Sequence, residues 1–154
     1  IRFHPNSLLR GDRETVVKGQ VVSLEENERV AARWVDVWNR ADLDALDELY
    51  APQFVYHMRF PNMLAGIPGE RQVITMLHGA FPDLEIITDD IIVSATSAVV
   101  RWTMPGTHLG NFRDIKPTGK RLVQTGIDIL RIVDGKITDR WDEVNVVRPG
   151  TLVF

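Results

Sequence analysis

A chain of 154 residues, 44% apolar and 25% charged, is sized for one globular domain that buries about two-thirds of its unfolded surface. Four Trp and 8% aromatics exclude a disordered chain, and no apolar run approaches the ~20 residues needed to span a bilayer. A net charge of −3, scattered Lys and Arg, and no Cys remove nucleic-acid partners, disulfide frameworks, thiolate metal sites and cysteine nucleophiles.

Residues 1–22 hold no run long enough for a signal segment, because Arg2, His4, Pro5, Asn6 and Arg10 interrupt Ile1, Phe3, Leu8 and Leu9. They read as an arm, and the protein as cytoplasmic. Order begins at Ser23-Leu24-Glu25-Glu26, where a Ser followed three residues later by Glu is a capping-box pattern. Leu24, Val30, Ala31, Trp34, Val35 and Trp38 then recur at three and four, predicting a helix over 24–39 with a wide aromatic face. Asn39-Arg40-Ala41-Asp42 breaks it, and Asp42 can cap a second helix over 43–50 that stops at Pro52. A short strand over 54–58 follows, then an irregular stretch with Pro61, Gly66, Pro68 and Gly69. Val73, Ile74, Leu77 and Phe81 predict a third helix over 70–81, ended by Pro82.

Four later segments, 86–93, 98–108, 122–132 and 136–147, are rich in Val, Ile, Thr and Trp and predict long strands. Helices first and strands afterwards predict an α+β domain, with helices gathered on one face of a mainly antiparallel sheet. It spans 23–147 and leaves a tail over 148–154. In the strand over 98–108, adjacent Val99 and Val100 leave open whether Arg101 or Trp102 points inward.

Asp134-Gly135 is a strong hairpin signal, and the loop length decides which side chains share a face. A three-residue loop over Val133-Asp134-Gly135 sets Asp128 opposite Arg140 and Gly126 opposite Asp142. Gln124, Gly126, Asp128, Leu130, Arg140, Asp142 and Val144 then share one face, with Ile127, Ile129, Ile137 and Trp141 on the other. A two-residue type I′ loop instead moves Asp128 to the face of Trp141 and dissolves the Asp-Arg-Asp set. The alternative for the Asp-Arg-Asp set itself is a solvated sheet face with an ordinary surface ion pair worth under about 1 kcal/mol.

The run from Val37-Trp38-Asn39-Arg40-Ala41-Asp42 to Leu49-Tyr50-Ala51-Pro52 resembles the first-helix region of SnoaL-like polyketide cyclases. Arg101-Trp102-Thr103-Met104-Pro105-Gly106-Thr107-His108, Pro117-Thr118-Gly119-Lys120 and the stretch from Asp128 through Asp134-Gly135 to Ile137 resemble that family's sheet. The resemblance implies the cone-shaped α+β barrel of the nuclear transport factor 2 superfamily, three helices capping a curved sheet around one deep pocket. It also implies a homodimer through the outer sheet face. In the family's cyclases an aspartate on the last strand is the general acid/base of a cofactor-free ring closure, and Asp142 is similar to it. A histidine and a glutamine on the preceding strand correspond to Asp128 and Gly126 here. Epoxide hydrolases of the limonene type, in the same superfamily, use an Asp-Arg-Asp set that Asp128, Arg140 and Asp142 resemble in composition.

A carboxylate in an apolar pocket has its proton affinity raised by desolvation, and a second carboxylate raises it further, while Arg140 works against both. Such a pair can divide acid and base roles. Together with the resemblance, which gives Asp142 the acid/base role, this makes Asp142 the expected base, Asp128 the acid or second base, and Arg140 the group that sets their charges. Trp38, His57, Trp102, His108, Leu130 and Val144 are the expected substrate-binding residues. His4 and His78 lack ligand spacing and no metal is expected, nor any cofactor. Gly119-Lys120 fails as a phosphate loop, because position 114 is Asp and Arg121 replaces the Ser/Thr. The expected partner is an apolar cyclic or polyketide-like small molecule, handled by a cyclase or isomerase. Water addition to an epoxide, or a non-catalytic binding module, are the alternatives.

Overall fold

The computed structural model describes residues 14–17, 20–57 and 61–145. The tail over 148–154, the last-strand positions 146–147 and Met58 lie outside the described residues. In chain order the elements are β1 (Glu14–Val17), β2 (Gln20–Ser23), α1 (Leu24–Arg40), α2 (Leu46–Leu49), β3 (Tyr50–Tyr56) and α3 (Gly66–Ala80). Then follow β4 (Ile87–Val93), β5 (Ser97–Thr107), β6 (Arg121–Val133) and β7 (Lys136–Asn145). The segment expected as an arm contains the hairpin β1–β2, a two-stranded sheet of its own.

Helix α1 follows the predicted spacing and buries Val30, Ala31, Trp34, Val35, Val37 and Trp38. It stops where Ala41 adopts a left-handed φ of 49°. The Asp42 carboxylate then accepts from Ala45 N–H, so only the short α2 forms where a helix over 43–50 was expected. Pro52 favours extended backbone just before it, and Tyr50 already begins β3. Helix α3 starts earlier than expected, at Gly66, whose φ of +65° suits glycine. Pro68 falls in the first turn, where its missing N–H breaks no helical bond.

The main sheet has the order β3-β7-β6-β5-β4, antiparallel except for the parallel β3–β7 pair. It curves but stays open, with β3 and β4 as its edges, so it is not a closed barrel. The helices pack on one face, against fully buried Val100, Leu130 and Ile137, each worth about 1.5–3 kcal/mol of burial. Strict alternation in β5 and β6 turns Trp102 inward and leaves Arg101 exposed beside Asp89.

The β6–β7 turn is the two-residue kind: Val133 pairs with Lys136, and Asp134 and Gly135 both have positive φ. Unmodified, this turn would send Asp128 to the face of Trp141. A bulge between Arg131 and Ile132 leaves Thr138 as an extra residue in β7, and beyond it Leu130 faces Arg140 and Asp128 faces Asp142. Each partner differs from the three-residue-loop register by two residues, so the face is preserved. Ile137, before the bulge, is the exception: it is buried inside, not outward as expected.

Deleting Thr138 removes the bulge and turns Arg140 and Asp142 outward. The expected result is loss of the cooperative urea transition and of near-ultraviolet circular dichroism. A folded deletion variant with wild-type stability would contradict this account of the register.

Candidate active site

Arg140 projects from β7 into the interior with 4% of its side chain exposed. Its Nε donates to Asp128 Oδ1 at 2.6 Å and its Nη1 to Glu70 Oε1 at 2.8 Å, while Nη2 lies 3.6 Å from Asp142 Oδ2. The rings of Tyr56, Trp38 and Trp34 surround the guanidinium at 4.5, 4.6 and 5.1 Å from their centroids, a cation–π setting in a desolvated place. Burial works to strip the proton from Arg140, but the charges of Asp128 and Glu70 outweigh it and hold the guanidinium charged.

The two aspartates differ in how they are held. Asp128 is fully buried, and both of its oxygens accept N–H bonds, Oδ1 from Arg140 and Oδ2 from Trp102 Nε1 at 2.6 Å. Burial pushes its carboxyl up to about 6 against the opposing pull of Arg140. Asp142 is held on one side only: Oδ2 accepts from Tyr56 O–H at 2.7 Å, while Oδ1 is buried without a hydrogen-bond partner among the described residues. Burial raises the Tyr56 phenol well above its ordinary range, outweighing Arg140, so at neutral pH this hydroxyl keeps its proton and donates it to Asp142.

The structure therefore brings Asp128, Arg140 and Asp142 together, with Trp38, Trp102 and Leu130 packed around them. Val144 continues the inward face of β7, partly buried against the core. Trp102 passes beneath Gly126, where a Cβ would meet its ring at 2.3 Å, so only glycine lets the indole reach Asp128.

Two expected substrate residues lie elsewhere. His57 is on the outer face, stacked on Trp141 at 4.2 Å and 6°, with Nε2 2.9 Å from Asp139 Oδ1. Burial tends to raise the Asp139 carboxyl, but hydrogen bonds from His57 and Thr138 hold it below its usual value. His57 sits outside because Tyr56, one residue earlier, takes the inward position. His108 is buried at the end of β5, its Nδ1 3.1 Å from Thr118 Oγ1 and its ring against Phe81. It packs there near the C-terminus of α3, where Leu109 and Gly110 N–H groups bond Ala80 O, and its hydrogen bonds and ring contact among the described residues run to Thr118, Lys120, Gly119 and Phe81 rather than to the Arg140 cluster.

A cleft of about 460 Å³ is lined by Arg101, Thr125, Ile127, Glu143 and Asn145, whose side chains alternate away from Arg140, and also by Trp102, Gly126 and Val144 of the inward set. Glu70, Asp128, Arg140 and Asp142 are not among its lining residues, while Trp102 both borders it and donates to Asp128.

Sequence reasoning missed Glu70, Tyr50 and Tyr56. Glu70 carried a signal: it lies three and four residues before Val73 and Ile74, in phase with the buried stripe of α3, where a charge needs partners. Tyr50 supplies one, its O–H donating to Glu70 Oε1.

A model of the SnoaL-like polyketide cyclase family matches residues 28–150. Among solved structures, TsrD from Streptomyces laurentii is similar at 28% identity and a TM-score of 0.71, over 79% of this chain and 89% of that one. AclR from Streptomyces galilaeus, described as a candidate hydroxylase, is 28% identical with a TM-score of 0.69, over 80% and 77%. IdmH from Streptomyces antibioticus, described as a candidate polyketide cyclase, is 26% identical with a TM-score of 0.68, over 77% and 91%. A search of curated proteins gave no match at the threshold applied. With the family match running through α1, α3 and all five strands of the main sheet, the chain belongs to the SnoaL-like polyketide cyclase family.

Proposed function

We propose that the protein is a small-molecule cyclase or isomerase that moves protons with its own carboxyls, acting on an apolar, cyclic or polyketide-like substrate. Asp142 takes the proton from carbon and returns it. Tyr56 and Arg140 hold Asp142 and balance its charge, and Asp128 anchors Arg140. The observation that carries this reading is the asymmetry of Asp142: one oxygen is pinned by Tyr56, and the other is buried with open lone pairs. A carboxylate with one oxygen pinned and the other open is oriented to accept a proton from a bound substrate. A buried cation with three carboxyls is also a poor way to gain stability, since well-packed apolar groups serve as well or better.

Water addition is the second reading, favoured by the single guanidinium that faces both Asp128 and Asp142. Against it, Asp128 already accepts two N–H bonds and has no proton turned outward to give an epoxide oxygen. Turnover in heavy-oxygen water separates the two, because only hydrolysis places solvent oxygen in the product. Turnover in D₂O places deuterium on carbon only if Asp142 exchanges a carbon-bound proton.

The expected homodimer is part of the proposal. Ile127 and Ile129 on the outer face are 44% and 43% exposed, a pair a second copy would cover. Ile129→Glu is expected to leave a monomer on size-exclusion chromatography, where the unsubstituted chain elutes as a dimer. A monomer from the unsubstituted chain would end the dimer proposal, and a dimer from Ile129→Glu would remove the outer face around Ile129 from it.

Asp142→Asn is expected to fold normally and lose at least about a hundredfold in kcat, and Tyr56→Phe about tenfold, on a substrate found by screening. Full turnover by a folded Asp142→Asn would sink the acid/base reading. The Asp128 carboxyl, pushed from 3.8 up to about 6, binds protons more tightly in the folded state than in the unfolded one. Its contribution to stability is therefore complete below pH ~4 and lost as pH rises through ~6, roughly 2–3 kcal/mol in all. Asp128→Asn should abolish that decline in urea titrations at pH 4, 5, 6 and 7. An unchanged pH slope in the variant would show that Asp128 is not its source.

A further inference from the structure

Glu70 is a fully enclosed carboxyl on a helix face that otherwise buries Val73 and Ile74. It receives three donors, all on one oxygen. Oε1 accepts from Tyr50 O–H at 2.5 Å, Arg140 Nη1 at 2.8 Å and Trp38 Nε1 at 3.0 Å, and Trp34 Nε1 donates to the Tyr50 oxygen at 2.9 Å. The donors come from α1, β3 and β7, so Glu70 ties the helical layer to the sheet through one atom. Its other oxygen, Oε2, is buried without a hydrogen-bond partner among the described residues.

The guanidinium is committed in the same way. Nε is given to Asp128 and Nη1 to Glu70, while the separation between Nη2 and Asp142, 3.6 Å, is beyond hydrogen-bond length. A free guanidinium favours a two-pronged grip on one carboxylate. With Nη1 taken by Glu70, Arg140 can face Asp142 through one nitrogen only.

We propose that Glu70 is a positioning residue of the proton-transfer site: it fixes the orientation of Arg140 and draws on a share of the cation that Asp128 and Asp142 would otherwise command. This rests on the reading of Asp142 as the acid/base group. The charged and titratable groups facing Arg140 are Asp128 from β6, Asp142 from β7, Tyr50 and Tyr56 from β3, and Glu70 from α3. Trp34, Trp38 and Trp102 complete the shell as neutral donors or ring faces. Replacing Glu70 by Gln keeps its shape and an accepting oxygen but removes its charge. The field of Arg140 then falls on the remaining carboxyls, and Asp128 gives up its proton more readily.

The test follows the Asp128 carboxyl carbon by NMR against pH, with the signal assigned by its loss in Asp128→Asn. In Glu70→Gln the Asp128 midpoint is expected to fall by about half a pH unit or more, and in Glu70→Asp, which keeps the charge, to move much less. On a substrate that the unsubstituted protein turns over, Glu70→Gln should lower kcat about tenfold and leave KM unchanged. A midpoint that stays or rises, or a kcat that does not fall, overturns the proposal. If Glu70→Gln does not fold, Glu70→Asp decides: its shorter side chain withdraws the oxygen that holds Arg140 Nη1, so kcat should fall with KM unchanged, and a kcat that does not fall overturns the proposal. Full turnover by Asp142→Asn would remove the acid/base reading while leaving the response of Asp128 to Glu70 intact, so the two failures are distinguishable.

Discussion

The buried charge of Arg140 is the constraint on which the rest of the structure depends. A guanidinium taken out of water costs several kcal/mol even after relaxation, and it persists only if its donors find acceptors and its faces find polarisable neighbours. Here Asp128 and Glu70 take strong hydrogen bonds, and Trp34, Trp38 and Tyr56 supply the ring faces. One cation thereby joins α1, α3, β3, β6 and β7. The polar centre is part of how the helices are seated on the sheet as well as the site to which we assign the chemistry.

Backbone irregularities serve that centre. The tight Asp134-Gly135 turn and the extra Thr138 act as opposing corrections: the turn alone would expose Arg140 and Asp142, and the bulge returns them to the interior. Gly126 performs a similar service in β6. With no Cβ it lets the Trp102 indole cross from β5 and meet Asp128, which closes the second acceptor of that carboxylate. Had Asp128 kept a free oxygen, the site would hold two similar carboxyls. Instead it holds one saturated and one open.

The fold was legible because its signals are periodic. Apolar spacing marked α1 and α3, and strand composition marked β4 to β7, whereas α2 shrank because the Asp42 side chain and Pro52 outcompete helix propensity over a few residues. The hairpin signal left two inward sets of β6 and β7 open; the one that joins Asp128, Arg140 and Asp142 is present, but on the two-residue turn that alone would have dissolved it, and with the pairing of Asp128 displaced by two positions from Arg140. A two-residue error in a strand register preserves faces, while a one-residue error would have reversed them. Ile137 was misplaced because it lies on the turn side of the bulge. Glu70, Tyr50 and Tyr56 were not read as site residues because their partners lie far away in sequence: Glu70 meets Arg140 across 70 positions and Tyr56 meets Asp142 across 86. Only the charge on an apolar helical stripe hinted at Glu70. His57 was assigned to the wrong side for a simpler reason: neighbouring residues on a strand point to opposite faces, and Tyr56 took the inner one.

That misplacement shows how the two faces of β7 cooperate. On the outside, His57 stacks on Trp141 and binds Asp139, and its backbone N–H donates to the carbonyl of Arg140. These contacts fix the parallel pairing of β3 with β7 at Val55 with Asp139 and Tyr56 with Arg140. Parallel pairs are slightly weaker per residue than antiparallel ones, and this one carries its own irregularity between Tyr50 and Val55, so an outer clamp has something to hold. The register it holds is the one that delivers the Tyr56 hydroxyl to Asp142 on the inside. His57 therefore bears on the site through the backbone, by keeping in place the strand that presents the only hydroxyl donor to Asp142 among the described residues.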